Sequence, residues 1–297
     1  MEAWDAEPLP ELPATTVPGR VRGALRLVGL VALTGMAVGL FLVGRYLRGV
    51  LGRWVTFHFE AARLWARGVL WLAGLRPIVR GTPVHAGALV ANHASWLDIP
   101  ALRSVTSIYF VSKSEVASWP VIGFITRVTG TIFINRRRSE AKRQEHVLRS
   151  RIAHDQLLCF FPEGTSTDGQ RVLPFKSSLF SAFFTEGRGT DFPIQPVTVR
   201  FRPAPGSELP RNFYGWWGTM SFEGNIWDIL TRSRGGTVEL IFHEPVTAAD
   251  FPDRKRLADH CRAAVAAGLA APAVNAPLRF GAGDRARLGR PRGFGDR

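Results

Sequence analysis

Short β-like runs alternate with helical stretches along the chain after Pro77, and this alternation constrains the fold more than any other feature. The runs are rich in β-branched and aromatic residues, and helix-forming segments separate several of them. Such alternation is typical of a sheet whose strands are covered by helices. The sequence therefore predicts an α/β fold with a mixed, mostly parallel sheet. The seven runs are IVRG, ALVA, IYFV, TIFI, LLCFF, PIQPVTV and TVELIF.

Helices are predicted at three places between and after these runs. One begins near Ser139 and places Leu148 and Ile152 on the same apolar face. Two further helical stretches span residues 175–184 and 248–269.

An uncharged apolar segment near the N-terminus predicts attachment to a membrane. Residues 27–44 carry no charge over 18 residues, which is at the short end for a helix that crosses a bilayer. Arginines flank both ends, so the positive-inside rule gives no orientation. A helix that enters the membrane without crossing it is the open alternative. A signal peptide fits less well, because the preceding stretch is long and acidic and no cleavage pattern follows.

The next segment, residues 51–75, has the pattern of an amphipathic helix. Its polar residues recur at steps of three and four, which confines them to one narrow face. The remaining surface is apolar and rich in tryptophan and phenylalanine. Together with the uncharged segment it predicts a membrane-associated helical hairpin.

Composition divides the chain into four parts. Residues 1–22, which include a stretch rich in proline and acids, are predicted to be a disordered tail. Residues 23–75 are the anchoring helices, and residues 76–272 are one folded α/β domain. Residues 273–297 are rich in glycine and arginine and are predicted to be a basic flexible tail.

The formal net charge of +14 predicts an anionic partner. Nucleic acid, anionic lipid and a phosphorylated substrate all fit that charge. Nine tryptophans and the apolar N-terminal segment favour a membrane surface, and no nucleic-acid-binding motif is present in the sequence. The two cysteines, Cys159 and Cys261, lack the spacing of a zinc site or a disulfide framework. A reducing compartment is therefore expected.

The stretch ANHASWLDIP, residues 91–100, places His93 and Asp98 after a buried apolar run. On one straight helix, residues five apart would point roughly 140° away from each other. The two side chains meet only if His93 lies on a turn and Asp98 reaches back from the first helical turn, with Ser95 or Asp98 as the helix N-cap. A carboxylate that holds one ring N–H leaves the other nitrogen to accept a hydroxyl proton. The alternative is a buried pair that serves stability alone.

Three further stretches lie at predicted strand ends, where α/β sheets build their sites. GTIFINRRR, residues 130–138, places Arg136 where a guanidinium could hold a phosphate by two bonds, and a surface charge run is the alternative. FFPEGTS, residues 160–166, could bind hydroxyls with its glutamate. PIQPV, residues 193–197, would line a pocket wall, or form an edge strand if taken alone.

Together these stretches resemble the motifs of the glycerolipid acyltransferase family, and specifically the bacterial 1-acylglycerol-3-phosphate acyltransferases. Residues 92–98 match the NHxxxxD block, residues 130–136 the GxIFIxR block and residues 161–166 the FPEGT block. Residues 193–197 match the proline block more loosely. The resemblance covers about residues 76–245, and the order of the first three motifs makes it highly specific.

The resemblance implies a role for each matched residue. His93 would deprotonate the free hydroxyl of 1-acyl-sn-glycerol-3-phosphate, and Asp98 would orient it. The hydroxyl would attack an acyl thioester of acyl carrier protein or coenzyme A directly, with no cofactor, metal or acyl-enzyme. The implied acceptor- and acyl-binding residues are Lys113 and Arg136 for the phosphate, Glu163, Gly164 and Thr165 for the glycerol part, and Pro196 for the acyl region.

The implied partners are a lipid acceptor, the thioester donor and an anionic membrane surface, with no nucleic acid. The implied location is the cytoplasmic face of the bacterial inner membrane, with single-pass or monotopic attachment.

The chain departs from the family pattern in ways that leave the acceptor open. Ser166 stands where many relatives have arginine, so Arg171 or Lys176 would have to replace that phosphate contact. Gln195 replaces an apolar residue of the proline block. Other stretches resemble a subgroup that includes acyltransferases of lyso-ornithine lipid, whose acceptor has no phosphate. Acylation of lyso-ornithine lipid is thus one alternative, and a catalytically inactive membrane scaffold is an alternative of another class.

Overall fold

A sheet of seven strands organises the computed structural model, which describes residues 4–52, 57–119, 122–134, 146–148, 150–151, 156–184 and 191–272. The strand order is β1-β7-β6-β2-β5-β3-β4, and every neighbouring pair is parallel except β6 with β7. The prediction of a mixed, mostly parallel α/β sheet is confirmed. The strands are β1 (Leu75–Arg80), β2 (Gly87–Ala91), β3 (Tyr109–Lys113), β4 (Ile132–Ile134), β5 (Leu157–Phe160), β6 (Ile194–Arg202) and β7 (Gly236–Phe242).

Both faces of the sheet are buried, which explains why its central strands read as continuous apolar runs. In β2 every residue is buried, and successive side chains join opposite cores. Leu89 belongs to the core on the side of the N-terminal helices, and Val90 belongs to the core on the other side. The described helices are α1 (Val17–Leu51), α2 (Phe57–Leu72), α3 (Asp98–Arg103), α4 (Ile122–Val128), α5 (Phe222–Arg232) and α6 (Arg254–Ala270).

Two predicted helices differ in the structure. The stretch predicted over residues 175–184 is a 3₁₀ helix, Ser177–Phe183. The stretch predicted over residues 248–269 is a short 3₁₀ turn followed by α6, because Pro252 interrupts it and Asp253 caps the new helix with its side chain. Most of the helix predicted from Ser139 lies outside the described residues.

The strand that contains Pro196 is an interior strand, so the edge-strand alternative is wrong. β6 lies between β7 and β2. Its ladder with β7 begins only at Val197, which pairs with Phe242. Pro196 lies one residue before that ladder, where its carbonyl accepts the His243 N–H at 3.0 Å. The missing proline N–H therefore removes no bond from the ladder.

Gln195, which departs from the family pattern, has a structural role. Its side-chain oxygen accepts the Val84 N–H at 2.9 Å, and its amide nitrogen donates to the carbonyls of Thr82 and His243 at 2.9 and 2.8 Å. The side chain is buried, so these bonds offset the cost of removing its amide from water. Gln195 thereby fixes the loop between β1 and β2.

The first two helices form the predicted hairpin. The Trp65 indole donates to Thr34 Oγ1 at 3.1 Å, and Leu33 packs where Gly68 has no side chain. α2 also enters the domain core through Val69 and Leu70. Among the described helices, α1 alone meets the length and hydropathy expected of a membrane span, and that supports membrane association.

The N-terminal part of α1 belongs to the domain, because two arginines bind the C-terminal end of α5. Arg22 donates to the carbonyl of Thr231. Arg26 donates to the carbonyls of Leu230 and Ser233 at 3.1 and 2.9 Å. The last carbonyls of a helix have no partner inside the helix and carry partial negative charge, so a guanidinium is well matched to them.

The predicted disordered tail requires correction over its described residues. Residues 17–22 belong to α1, with Thr16 as its N-cap. Before the helix, Leu12 packs against the core, and the Trp217 indole donates to the carbonyl of Glu7 at 3.2 Å. The prediction relied on local composition, which contains no sign of these distant partners. The predicted tail at residues 273–297 lies outside the described residues.

We expect Arg26→Ala to lower the free energy of unfolding by about 1–2 kcal/mol, because the variant loses the bonds to the end of α5. Denaturant titration in detergent, followed by tryptophan fluorescence, measures the change. Arg20→Ala is the matched control, because Arg20 is exposed on the same helix. Equal effects of the two variants would show that the contact with α5 contributes nothing.

Candidate active site

Several of the predicted site residues lie at the carboxyl ends of neighbouring strands, at the same end of the sheet. β2, β5, β3 and β4 are parallel neighbours in that order, so their carboxyl ends lie side by side. His93 follows β2, Glu163 follows β5, and Lys113 ends β3. Ligand sites of α/β sheets form at such carboxyl ends. Arg136, two residues after β4, lies outside the described residues.

His93 and Asp98 meet as the spacing predicts. His93 lies on the turn between β2 and α3, and Asp98 is the first residue of α3. Asp98 Oδ2 is 2.6 Å from His93 Nδ1 and also accepts the N–H groups of Ala94 at 2.8 Å and Ser95 at 3.0 Å. The predicted N-cap is wrong, because Leu97 holds that position without a side-chain bond. The Asp98 carboxylate instead closes the turn that precedes the helix.

The exposure of the pair fits a base supported by a carboxylate. The Asp98 side chain is fully buried, whereas 22% of the His93 side chain is exposed. A carboxylate that faces Nδ1 accepts the proton there, which leaves Nε2 as the acceptor nitrogen. A pair that served stability alone would have no need of an exposed ring. The arrangement can therefore accept a proton from a hydroxyl at the edge of the sheet.

Aromatic stacking fixes the plane of the imidazole. The ring of His93 lies on that of Phe161 with centroids 4.3 Å apart and an angle of 17° between the planes. Phe161 in turn stacks on Phe110 of β3 at 6.3 Å. One face of the imidazole ring thus packs against Phe161. This contact and the hydrogen bond to Asp98 together restrict rotation of the ring.

Asn92 holds the start of the turn that carries His93, a role that the motif match did not predict. Its side-chain nitrogen donates to the Val199 carbonyl at 2.9 Å, and its oxygen accepts the Val199 N–H at 2.8 Å. The amide is buried and imitates a strand residue, so it continues the pairing of β2 with β6 beyond the end of β2. An asparagine directly after a buried strand is the signal that could have suggested this.

Glu163 supports the backbone of His93. Its two carboxylate oxygens accept the N–H groups of His93 and Leu173, each at 2.7 Å. The side chain is buried, and burial raises its pKa to about 7, although both backbone bonds favour the charged form and act in the opposite direction. Both oxygens thus have partners inside the protein. Direct contact between Glu163 and an acceptor stays a prediction.

Gly164 and Thr165 form the turn after Glu163. Gly164 has a φ of 75°, and a Cβ there would lie 2.5 Å from Lys176 Nζ. The Lys176 N–H donates to the Pro162 carbonyl at 2.9 Å, which brings that lysine across the turn. Thr165 is partly exposed beside it. The backbone angle therefore favours glycine here, whereas the end of the flexible Lys176 side chain could move away from a Cβ.

Two other predicted residues lie away from this cluster. Pro196 is buried in β6 and pairs with Val90, three residues before His93. It therefore lies within the strand region and not at the carboxyl ends where His93 is found. A contact with an acyl chain stays a prediction. Arg171, considered as a replacement phosphate ligand, pairs with Glu7 and with Asp168. Lys176, the other replacement, lies on the turn at Gly164.

Comparison with known proteins shows the family to which this chain belongs. The family model described as Acyltransferase matches residues 77–200. The lyso-ornithine lipid O-acyltransferase of Rhodobacter capsulatus is 47% identical over 268 residues, which is 89% of this chain and 95% of that protein. This chain is a member of the acyltransferase family. The resemblance inferred from the motifs is thus confirmed.

Two further relatives extend the comparison. The 1-acyl-sn-glycerol-3-phosphate acyltransferase of Neisseria meningitidis is 32% identical over 242 residues, which is 80% of this chain and 92% of that protein. The crystal structure of the 1-acyl-sn-glycerophosphate (LPA) acyltransferase of Thermotoga maritima matches with a TM-score of 0.61 and 20% identity. The match covers 86% of this chain and 100% of that one, and it shows that the two proteins share this fold.

We expect Glu163 to make stability fall as pH rises from about 4.5 to about 7. In this window the native carboxyl, with its raised pKa, keeps a proton that the unfolded chain has already released. Glu163→Gln removes this titration, so the free energy of unfolding of the wild type relative to the variant should fall by on the order of 3 kcal/mol across the window.

Denaturant unfolding at a series of pH values measures this difference. Glu115→Gln, at an exposed carboxyl, is the control and should follow the wild type. A difference between Glu163→Gln and the wild type that stays constant with pH would contradict the raised pKa.

Proposed function

We propose that this acyltransferase transfers a fatty acyl group from a thioester to the hydroxyl of lyso-ornithine lipid. The observation that carries the proposal is the buried Asp98 carboxylate at 2.6 Å from Nδ1 of a partly exposed His93. This is the arrangement that a general base for a hydroxyl acceptor requires.

The chemical step follows from that arrangement. His93 Nε2 takes the proton of the acceptor hydroxyl as the oxygen attacks the thioester carbonyl. The tetrahedral intermediate then breaks its carbon–sulfur bond, and the proton on Nε2 passes to the departing thiolate. Asp98 stabilises the imidazolium that exists between these events. The acyl group goes directly from donor to acceptor, with no acyl-enzyme, metal or cofactor.

Overall similarity supports lyso-ornithine lipid as the acceptor, although the motifs alone placed lysophosphatidic acid first. The Rhodobacter capsulatus relative, which carries the lyso-ornithine lipid name, matches over 95% of its length at 47% identity. Ser166 occupies the position where many phosphate-binding relatives have arginine. An acceptor without a phosphate needs no cation there.

Acylation of 1-acyl-sn-glycerol-3-phosphate, which gives phosphatidic acid, is the second candidate. The Neisseria meningitidis relative, which carries that name, matches over 92% of its length at 32% identity. Lys113 lies at the carboxyl end of β3, on the edge of the sheet that holds His93. It supplies positive charge that would suit a phosphate.

The enzyme would act at the cytoplasmic face of the bacterial inner membrane. The exposed apolar residues of α1 fit a lipid environment, whether the helix crosses the bilayer or lies within one leaflet. The net charge of +14 would attract the chain to an anionic membrane surface. The donor, an acyl carrier protein or coenzyme A thioester, would arrive from the aqueous side.

A competition assay tests the acceptor. Purified enzyme in mixed micelles receives lyso-ornithine lipid and lysophosphatidic acid at equal concentration, with an acyl thioester donor. We expect acylated ornithine lipid as the main product. A main product of phosphatidic acid would select the second candidate, and no product with either acceptor would favour the inactive scaffold.

We expect His93→Ala to reduce kcat by about 10²- to 10⁴-fold, the contribution usual for a general base. Thermal unfolding should show that the variant is folded at the assay temperature, with a lower melting temperature because the buried Asp98 loses one of its three donors. His85→Ala is the matched control. His85 is an exposed histidine in the loop that precedes β2, so it lies near the amino end of the strand and not at the carboxyl end. Near-normal turnover of His93→Ala would rule out the proposed mechanism.

Lys113→Ala distinguishes the two acceptors by charge. Loss of a charge-assisted bond to phosphate should lower kcat/KM for lysophosphatidic acid by about 10- to 100-fold, which corresponds to about 1.5–3 kcal/mol. The loss for lyso-ornithine lipid should be smaller, because its single carboxylate offers fewer acceptor oxygens. Equal losses with both acceptors would show that Lys113 does not bind the phosphate.

A further inference from the structure

The carbonyl of His93 is bound by a loop that the mechanism above does not use. Thr167 donates its N–H to this carbonyl at 3.0 Å and its hydroxyl at 3.3 Å. Two residues on, Gly169 has a φ of 71°, and a Cβ there would lie 3.1 Å from that of Ala94. The loop from Thr167 to Arg171 is therefore packed against the catalytic turn.

A buried carboxylate holds this loop in shape. Asp168 is 3% exposed. One of its oxygens accepts the Gln170 N–H at 3.1 Å, and the other accepts from the Arg171 guanidinium at 3.1 Å. A carboxylate this deeply buried depends on its cation, so the position of Arg171 affects the whole loop.

The N-terminal segment in turn holds Arg171. Residues 4–13, here called the strap, cross the surface before α1 begins. The Glu7 carboxylate pairs with Arg171, and the ring of Trp4 lies 5.1 Å from the guanidinium carbon. The carbonyls of Glu7 and Pro13 accept from Trp217 and Arg232 at 3.2 and 3.0 Å. The strap is thus attached to the domain at both of its ends.

We propose that the strap positions His93 through Arg171, Asp168 and Thr167. Arg171 is then a positioning residue and not a ligand of the acceptor headgroup. The inference rests on the proposed function, since it takes His93 as the base. In the proposed chain of contacts, Glu7 orients Arg171 and Arg171 pairs with Asp168. The loop that contains Asp168 then fixes the backbone of His93.

The opposite hypothesis makes the opposite prediction for Glu7. If Arg171 bound the anionic group of the acceptor, the Glu7 carboxylate would compete with that group. Removal of the charge on Glu7 would then lower KM and raise kcat/KM. If Glu7 orients Arg171 for the loop, its removal lowers kcat and leaves KM unchanged. The sign of the effect separates the two roles.

The experiment compares Glu7→Gln with Glu11→Gln in the full-length enzyme, using lyso-ornithine lipid and an acyl thioester. Glu11 is an exposed acid in the same strap, so the two variants change net charge equally. We expect Glu7→Gln to lower kcat by about two- to fivefold with KM unchanged, because a partly exposed ion pair contributes modestly. Glu11→Gln should match the wild type. Equal kcat for the two variants, or a lower KM for Glu7→Gln, would overturn the proposal.

A double-mutant cycle with Arg171→Gln completes the test. Arg171→Gln should lower kcat more than Glu7→Gln does, and Glu7→Gln should have no further effect in that background. Additive effects would show that Glu7 does not act through Arg171. Assays run below the melting temperature of every variant exclude loss through unfolding. His93→Ala, measured in parallel, separates the two claims, since its inactivity supports the base whatever the strap variants do.

Discussion

The buried Asp98 carboxylate is the interaction on which the site depends. Its Oδ2 accepts the His93 ring and two backbone N–H groups, while its Oδ1 has no hydrogen-bond partner among the described atoms. Burial of a carboxylate costs several kcal/mol, and three donors at one oxygen offset that cost only if the turn keeps its shape. The His93–Asp98 pair and the conformation of the turn are therefore mutually dependent. The strand before the turn and the helix after it must both be in place.

Glu163 applies the same principle from the neighbouring strand. Its carboxylate accepts the His93 N–H, as Asp98 accepts the His93 ring, so buried acids hold both the backbone and the side chain of His93. The Thr167 N–H then binds the His93 carbonyl. These contacts come from separate segments that meet because β2 and β5 are parallel neighbours. The FPEGT motif thus supports the backbone of His93, whatever contact it makes with substrate.

The sequence predicted the strands and the contact between His93 and Asp98 because both depend on short-range patterns. All seven runs became strands, and the spacing of His93 and Asp98 fitted only a turn followed by a helix. The hydrogen-bond partners of Asn92, Gln195 and Glu163 could not be predicted in the same way. Each side chain satisfies backbone groups between 10 and 113 residues away, and the identity of those groups depends on the strand order. The strap was missed for the same reason, since its partners lie far along the chain.

Contacts between helices connect the N-terminal hairpin to the turn that carries His93. α2, the second helix of the hairpin, packs on α3, whose first residue is Asp98. The Arg67 guanidinium donates to the carbonyl of Ser104, the C-cap of α3, at 3.2 Å. α1 is fixed to the same domain through Arg22 and Arg26. The hairpin is therefore not joined to the domain by a flexible linker alone, since both of its helices form hydrogen bonds with the folded domain. If the hairpin enters a bilayer as proposed, its depth would set the height of His93 above the lipid, where the hydroxyl of the proposed acceptor would have to be presented.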